Sequence, residues 1–61
     1  MLKFEDFAKT LDGDTWVELY TQVGDKIHIG KLKDLKCYPD NVMRIIPQRN
    51  SRETYLEIYV Y

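Results

Sequence analysis

Two segments of the chain alternate between aliphatic and other side chains with a period of two, which is the repeat of a β-strand. In residues 55–61, Leu56, Ile58 and Val60 fall on one side, and aromatic or acidic residues fall on the other. Residues 16–23 have the same pattern, with Val17 and Leu19 on the aliphatic side. The pattern predicts two strands that each have an aliphatic side and an aromatic side.

A second strand is predicted at 26–32, after the turn signal Gly24-Asp25. A two-residue loop would mix polar and apolar residues on both sides of this hairpin. A loop of three or five residues would place Ile27 and Ile29 beside Val17 and Leu19. Because a shift of one residue reverses every side chain, burial favours the odd loop. We therefore expect an inner face that contains Val17, Leu19, Ile27 and Ile29, with Gly30 at a bulge or a close backbone approach.

Residues 3–11 carry the only helical stripe, with Phe4, Phe7, Ala8 and Leu11 spaced at i, i+3, i+4 and i+7. Gly13 follows, at a place where helices commonly end. A helix of about nine residues is too short to be stable alone. We expect it to pack on the sheet.

The remaining segments complete one domain over residues 1–61. A third strand is predicted at 42–46, where Pro47 indicates either its end or an edge position. A polar hairpin loop follows at 48–53, and the last strand covers 55–61. The predicted fold is α+β, with an N-terminal helix packed on a four-stranded, mostly antiparallel sheet; curling toward an SH3-like barrel is the alternative.

Composition excludes several classes of protein. No apolar run approaches the ~20 residues of a membrane span. A single cysteine, Cys37, and a single histidine, His28, exclude an internal disulfide and a Cys/His zinc site. The free thiol and the carboxylates near the start of the chain lead us to expect a cytoplasmic protein.

No motif in the sequence predicts catalysis. The segment Asp12-Gly13-Asp14 lacks the further oxygen ligands and the closing Glu of a calcium loop, and is typical of a turn after a helix. His28 and Cys37 have no evident partner for acid–base or nucleophilic chemistry. We therefore expect a protein that is not an enzyme, with no catalytic residues, metal, cofactor, small-molecule substrate or membrane partner.

The aromatic side of the strands is the best candidate for a binding surface. If the first and last strands are neighbours, their rings form one band, and aromatic bands of this kind are common in interfaces. The candidate contact residues are Trp16, Tyr20, Tyr55, Tyr59 and Tyr61. Their partner would be another protein or a second copy. Three alternatives stay open: the rings fill a barrel, lie under the helix, or pack across strands with their hydroxyls in water.

The middle of the chain is basic although the net charge is −1. Residues 1–25 carry two lysines against six carboxylates, whereas residues 26–52 carry seven cations against two carboxylates. The segment between the second and third predicted strands is here called the connector. If the connector and the last hairpin loop meet at one end of the sheet, these cations could form a nucleic-acid-binding patch. The candidate residues for this alternative function are Lys31, Lys33, Lys36, Arg44, Arg49 and Arg52.

The junction Leu11-Asp12-Gly13-Asp14-Thr15, with Phe4-x-x-Phe7 before it and Gly30-Lys31-Leu32-Lys33-Asp34-Leu35 after it, resembles small proteins of Firmicute bacteria and their phages or mobile elements. The resemblance extends over most of the chain. It implies a genomic setting on a phage or mobile element, and it implies no activity and no catalytic residues.

Overall fold

The fold is described from a computed structural model, which describes residues 1–51 and 53–61. One short helix precedes four strands, and a single 3₁₀ turn connects the second strand to the third. The elements are α1 Phe4–Ala8, β1 Trp16–Thr21, β2 Lys26–Lys31, the 3₁₀ turn Leu32–Asp34, β3 Val42–Arg49 and β4 Thr54–Val60. The α+β prediction, a helix on a four-stranded sheet, is confirmed. No helix within the described residues is long and apolar enough to span a membrane.

The strands lie in the order β2-β1-β4-β3, so the first and last strands are the two central ones. β1 pairs with β2 and β3 pairs with β4 in antiparallel hairpins, whereas β1 and β4 run parallel. β2 and β3 form the two edges and do not pair with each other, so the sheet is open and the barrel alternative is not realised.

Helix α1 covers the aliphatic face of the two central strands. Phe4 and Ala8 lie in one buried cluster with Val17 and Leu19 of β1 and Ile58 of β4. Leu32, Val42 and Val60 complete this cluster, and Leu11 and Leu35 pack against it. The helix is shorter than the stripe over 3–11 indicates. The backbone N–H groups of Thr10 and Leu11 bond back only three residues, to Phe7 and Ala8, so the helix tightens into a turn.

The prediction that Ile27 and Ile29 belong to the inner face is wrong. Gly30 pairs with Val17 and His28 pairs with Leu19, so Ile29 lies beside Glu18 on the opposite face. A bulge follows at Ile27, since Leu19 pairs with His28 but Tyr20 pairs with Lys26. Ile27 and Ile29 are 45% and 42% exposed.

The register of this hairpin follows from what the helix leaves uncovered. β2 is an edge strand, and the buried cluster under α1 draws its strand residues from β1, β3 and β4. The apolar cover beside the start of β1 comes instead from Leu32, whose N–H donates to the carbonyl of Thr15. The burial of apolar surface therefore does not force Ile27 and Ile29 onto the inner face. The turn is a four-residue connection in which Gly24 takes a positive φ of 94°.

β3 continues through Pro47 to Arg49. A proline is tolerated there because β3 is an edge strand, which is one of the two positions that the sequence indicated. The start of β3 is held by the N-terminus: Lys3 forms a bridge with Asn41, and the N–H of Val42 donates to the carbonyl of Leu2. The ring of Tyr38 packs edge-on against Phe4. This contact holds the connector against the start of the helix.

Candidate functional site on the outer face of the sheet

The sheet face opposite α1 is here called the outer face. Its centre consists of Glu18 and Tyr20 of β1 and Glu57 and Tyr59 of β4, which are matched in pairs by the parallel register. Arg44, Ile46 and Gln48 of β3 and Ile29 of β2 lie beside them through cross-strand pairing. Each of these eight side chains is half-buried or exposed, and none of them is fully buried.

The rings of Tyr20 and Tyr59 stack on each other at the centre of the outer face. Their centroids are 5.4 Å apart and their planes are inclined by 25°. The guanidinium of Arg44 lies 4.6 Å from the centroid of the Tyr59 ring. Offset stacking and a cation over a ring are both favourable, so these three side chains hold one another in a defined arrangement.

Each tyrosine hydroxyl donates a hydrogen bond to the glutamate two residues before it on the same strand. Tyr20 Oη lies 2.8 Å from Glu18 Oε1, and Tyr59 Oη lies 2.6 Å from Glu57 Oε1. Gln48 Nε2 lies 3.3 Å from the other carboxylate oxygen of Glu57. The hydrogen bond to Glu18 raises the pKa of Tyr20 to about 12. The bond to Glu57 likewise raises the pKa of Tyr59.

The structure brings the aromatic candidates together unequally. Tyr20 and Tyr59 form the stack. Trp16 and Tyr55 stand two positions before Glu18 and Glu57 on the same strands, so they belong to the same face, and both are half-buried. Tyr61 follows the end of β4 and is 60% exposed.

Two acidic residues of the outer face were not candidates in the sequence. Glu18 and Glu57 lie directly beside each other, and both accept bonds from the tyrosines. The sequence does contain a signal, because Glu18-Leu19-Tyr20 lies within β1 and Glu57-Ile58-Tyr59 lies within β4. The two segments can be recognised as parts of one site only when β1 and β4 are known to be parallel neighbours.

The basic candidates are divided between different parts of the sheet. Lys31 and Lys33 both reach Asp14, with Nζ–Oδ1 distances of 3.9 and 2.9 Å. The bond to Lys33 lowers the pKa of Asp14 and raises that of the lysine. Arg49 lies at the same end of the sheet, whereas Arg44 lies beside Tyr59 toward the other end. Lys36 is exposed in the connector. Arg52 lies outside the described residues.

A shallow groove of about 400 Å³ opens at the end of the sheet where β4 begins. Thr15, Pro47, Tyr55 and Leu56 form its walls, and Arg49 lies at its side. Residues of both sheet faces line this groove, since Tyr55 pairs with Gln48 on the outer face and Leu56 pairs with Pro47 on the inner face.

The other motifs have local structural roles. Asp12 Oδ1 accepts the N–H of Asp14, which closes the turn between helix and sheet. Within the described residues, no three His, Cys, Asp or Glu side chains are arranged to hold a metal ion. A ring nitrogen of His28 lies 3.1 Å from the carbonyl of Lys31, and Cys37 is exposed.

Comparisons with family models, with curated proteins and with solved structures find no match to this chain. The geometry of the outer face therefore carries the functional argument.

Proposed function

We propose that this chain is a small protein-binding domain that docks its partner on the outer face. The single observation that carries the proposal is the stack of Tyr20, Tyr59 and Arg44 on a sheet face where these side chains stay half-buried or exposed. Tyrosine, tryptophan and arginine are the side chains that most often anchor protein interfaces. The proposed role is non-enzymatic, and a cytoplasmic phage or mobile-element setting is part of the same hypothesis.

The hydrogen bonds of the outer face support this role because they restrict the side chains before a partner arrives. The hydroxyl of each stacked tyrosine is held by a glutamate, and Glu57 is also held by Gln48. Ordering a mobile side chain at an interface costs free energy that opposes binding. Rings that are already fixed reduce this cost.

The alternative function, nucleic-acid binding, would use the lysines and arginines of the middle of the chain. Arg44 and the Tyr59 ring are a cation and an aromatic side chain, the two kinds of group that single-strand binders offer to the backbone and the bases. Glu18 and Glu57 are beside it, however, and carboxylates repel phosphates. Asp14 also neutralises part of the charge of Lys31 and Lys33. We therefore favour a protein partner.

The proposal can be tested by selecting binders from a display library of random dodecapeptides and mapping their sites by NMR chemical shifts. We expect the selected peptides to shift amide signals of β1 and β4. We expect Tyr59→Ala to weaken their binding far more than Lys9→Ala, at the exposed position that follows α1. Peptides that map only to α1 or to the groove at Pro47 would contradict the proposal, as would a library that yields no binder.

A single-stranded oligonucleotide provides the test of the alternative. Phosphate-driven binding falls steeply as salt increases, whereas contacts with aromatic rings change little. Tight oligonucleotide binding that is lost at high salt and in Lys31→Ala or Arg49→Ala would favour nucleic acid over a protein partner.

A further inference from the structure

The groove where β4 begins is lined by a mixture of apolar and polar side chains. Its lining residues are Thr15, Pro47, Gln48, Arg49, Thr54, Tyr55 and Leu56. Its volume of about 400 Å³ lies within the range of ~300–1,000 Å³ that is usual for small-molecule sites. Such sites combine a mainly apolar wall with a few polar groups that orient the ligand.

The register of the sheet arranges these residues in two rows. Arg49 pairs with Thr54 on β4, and the parallel register of Val17 with Leu56, continued by two residues, sets Thr15 beside Thr54. These three side chains therefore form a polar row across the ends of three strands. Pro47 pairs with Leu56 in the next row on the same side of the sheet. Two residues along a strand separate the rows by ~7 Å.

Arg49 is the one charged residue among those that line the groove. Its side chain is exposed, and none of the ion pairs within the described residues includes it. Asp14 and Glu53 precede two lining residues in the chain, but neither lines the groove. Asp14 is held by two lysines. The groove therefore has a cation without a counter-ion.

The two threonine hydroxyls of the polar row are also available to a ligand. Neither Thr15 Oγ1 nor Thr54 Oγ1 takes part in a hydrogen bond between described residues. A guanidinium and hydroxyl groups all donate to carboxylate oxygens, and the bond from the guanidinium is assisted by charge.

We propose that this groove binds a small monocarboxylate with an apolar body. The carboxylate accepts hydrogen bonds from Arg49 and the two threonines, and the apolar body lies over Pro47 and Leu56. One guanidinium matches one negative charge. A phosphate ester, with a charge of about −2, brings an excess charge toward the nearby carboxylates of Asp14 and Glu53. No sequence motif indicates this site, because its residues come from three parts of the chain.

The test uses 4-phenylbutyrate as the probe and follows amide signals of the labelled protein by NMR. Three analogues separate the contributions. The amide 4-phenylbutyramide keeps the body without the charge, acetate keeps the charge without the body, and 3-phenylpropyl phosphate replaces the carboxylate with a phosphate.

We expect the probe to shift the signals of Thr15, Arg49 and residues 54–56, with a dissociation constant on the order of 1 mM for so small a ligand. Each analogue should bind about fivefold more weakly or less tightly still. A larger factor is not expected for the amide, since a charged pair at an exposed site is weakened by solvent.

A matched pair of variants tests the role of Arg49. In Arg49→Gln we expect the acid and its amide to bind equally weakly, because the group that distinguishes them is removed. Lys26→Gln removes the same charge from an exposed position at the opposite end of the sheet. It should change affinity less than twofold, since distant charges are screened by salt. The NMR spectra establish that both variants are folded.

Several outcomes would overturn the inference. Equal binding of acid and amide to the unaltered protein, or a preference for the acid that persists in Arg49→Gln, would exclude the carboxylate contact. Acetate that binds as tightly as the probe would exclude the apolar contact, and a phosphate that binds more tightly would replace the monocarboxylate. Shifts confined to other residues, or no shift at ~20 mM probe, would mean that the groove is not a site. None of these outcomes affects the docking role of the outer face, which is tested with peptides.

Discussion

Side chains of neighbouring strands pack differently on the two faces of this sheet. The inner face is aliphatic and buried: Val17, Leu19 and Ile58 are fully inaccessible under α1. The outer face is built from stacked rings, carboxylates and an arginine that remain in contact with water. In this small domain the one short helix covers one side of the sheet, and polar contacts among its own residues order the other side.

The largest effect is expected on the inner face. Leu19→Ala or Ile58→Ala should lower the free energy of unfolding by about 2–5 kcal/mol, because each leaves a cavity in a fully buried site. Urea denaturation measures the loss. Ile29→Ala, on the outer face, is the matched control and should cost less than about 1 kcal/mol. Equal losses for Leu19 and Ile29 would remove the distinction between the faces.

A smaller effect is expected from the ring stack. Tyr59→Ala removes the contacts with both Tyr20 and Arg44 and should lower the melting temperature by clearly less than Leu19→Ala. Tyr61→Ala, at an exposed position beyond β4, should have almost no effect. A near-ultraviolet circular dichroism spectrum that does not change in Tyr59→Ala would mean that the stack is not ordered in solution.

The tyrosine–glutamate bonds predict behaviour at alkaline pH. Since the pKa of Tyr20 is raised to about 12 by its bond to Glu18, the neutral phenol is favoured in the folded state. The stability from this bond is complete below the usual pKa of ~10 and is lost as the pH rises to about 12. Absorbance titration should find a late-ionising tyrosine whose pKa returns toward the usual range in Glu18→Ala, which removes the acceptor. Unchanged titration in that variant would contradict the bond.

The smallest effect is expected at the end of the sheet, where Asp14 is paired with Lys33 on the surface. The pKa of Asp14 is lowered by this lysine, so the pair contributes above the usual carboxyl pKa and its contribution disappears as the pH falls through the lowered value. Lys33→Met should raise the pKa of Asp14 in an NMR titration, with little change in stability because the pair is exposed. Lys36→Met serves as the control, and an equal shift there would point to net charge instead of pairing.

Local pattern was sufficient to predict the elements. The alternation of Leu56, Ile58 and Val60 identifies β4 and its buried side, since Ile58 and Val60 are buried. The stripe of Phe4 and Ala8 identifies the helix and the side it packs with. These features depend on neighbours in the chain, and an alternating or helical repeat already states which side chains share a face.

The pairing of these elements with one another depends on contacts between distant parts of the chain. The parallel pairing of β1 with β4 joins residues some forty positions apart, and no nearby pattern specifies it. That pairing brings the two Glu-x-Tyr segments side by side and creates the outer face. The same holds for β2, where the helix covers the central strands and leaves the edge uncovered, so Ile27 and Ile29 stay exposed. The local pattern therefore specifies which side chains alternate, whereas the position of α1 over the central strands determines which apolar side chains are buried.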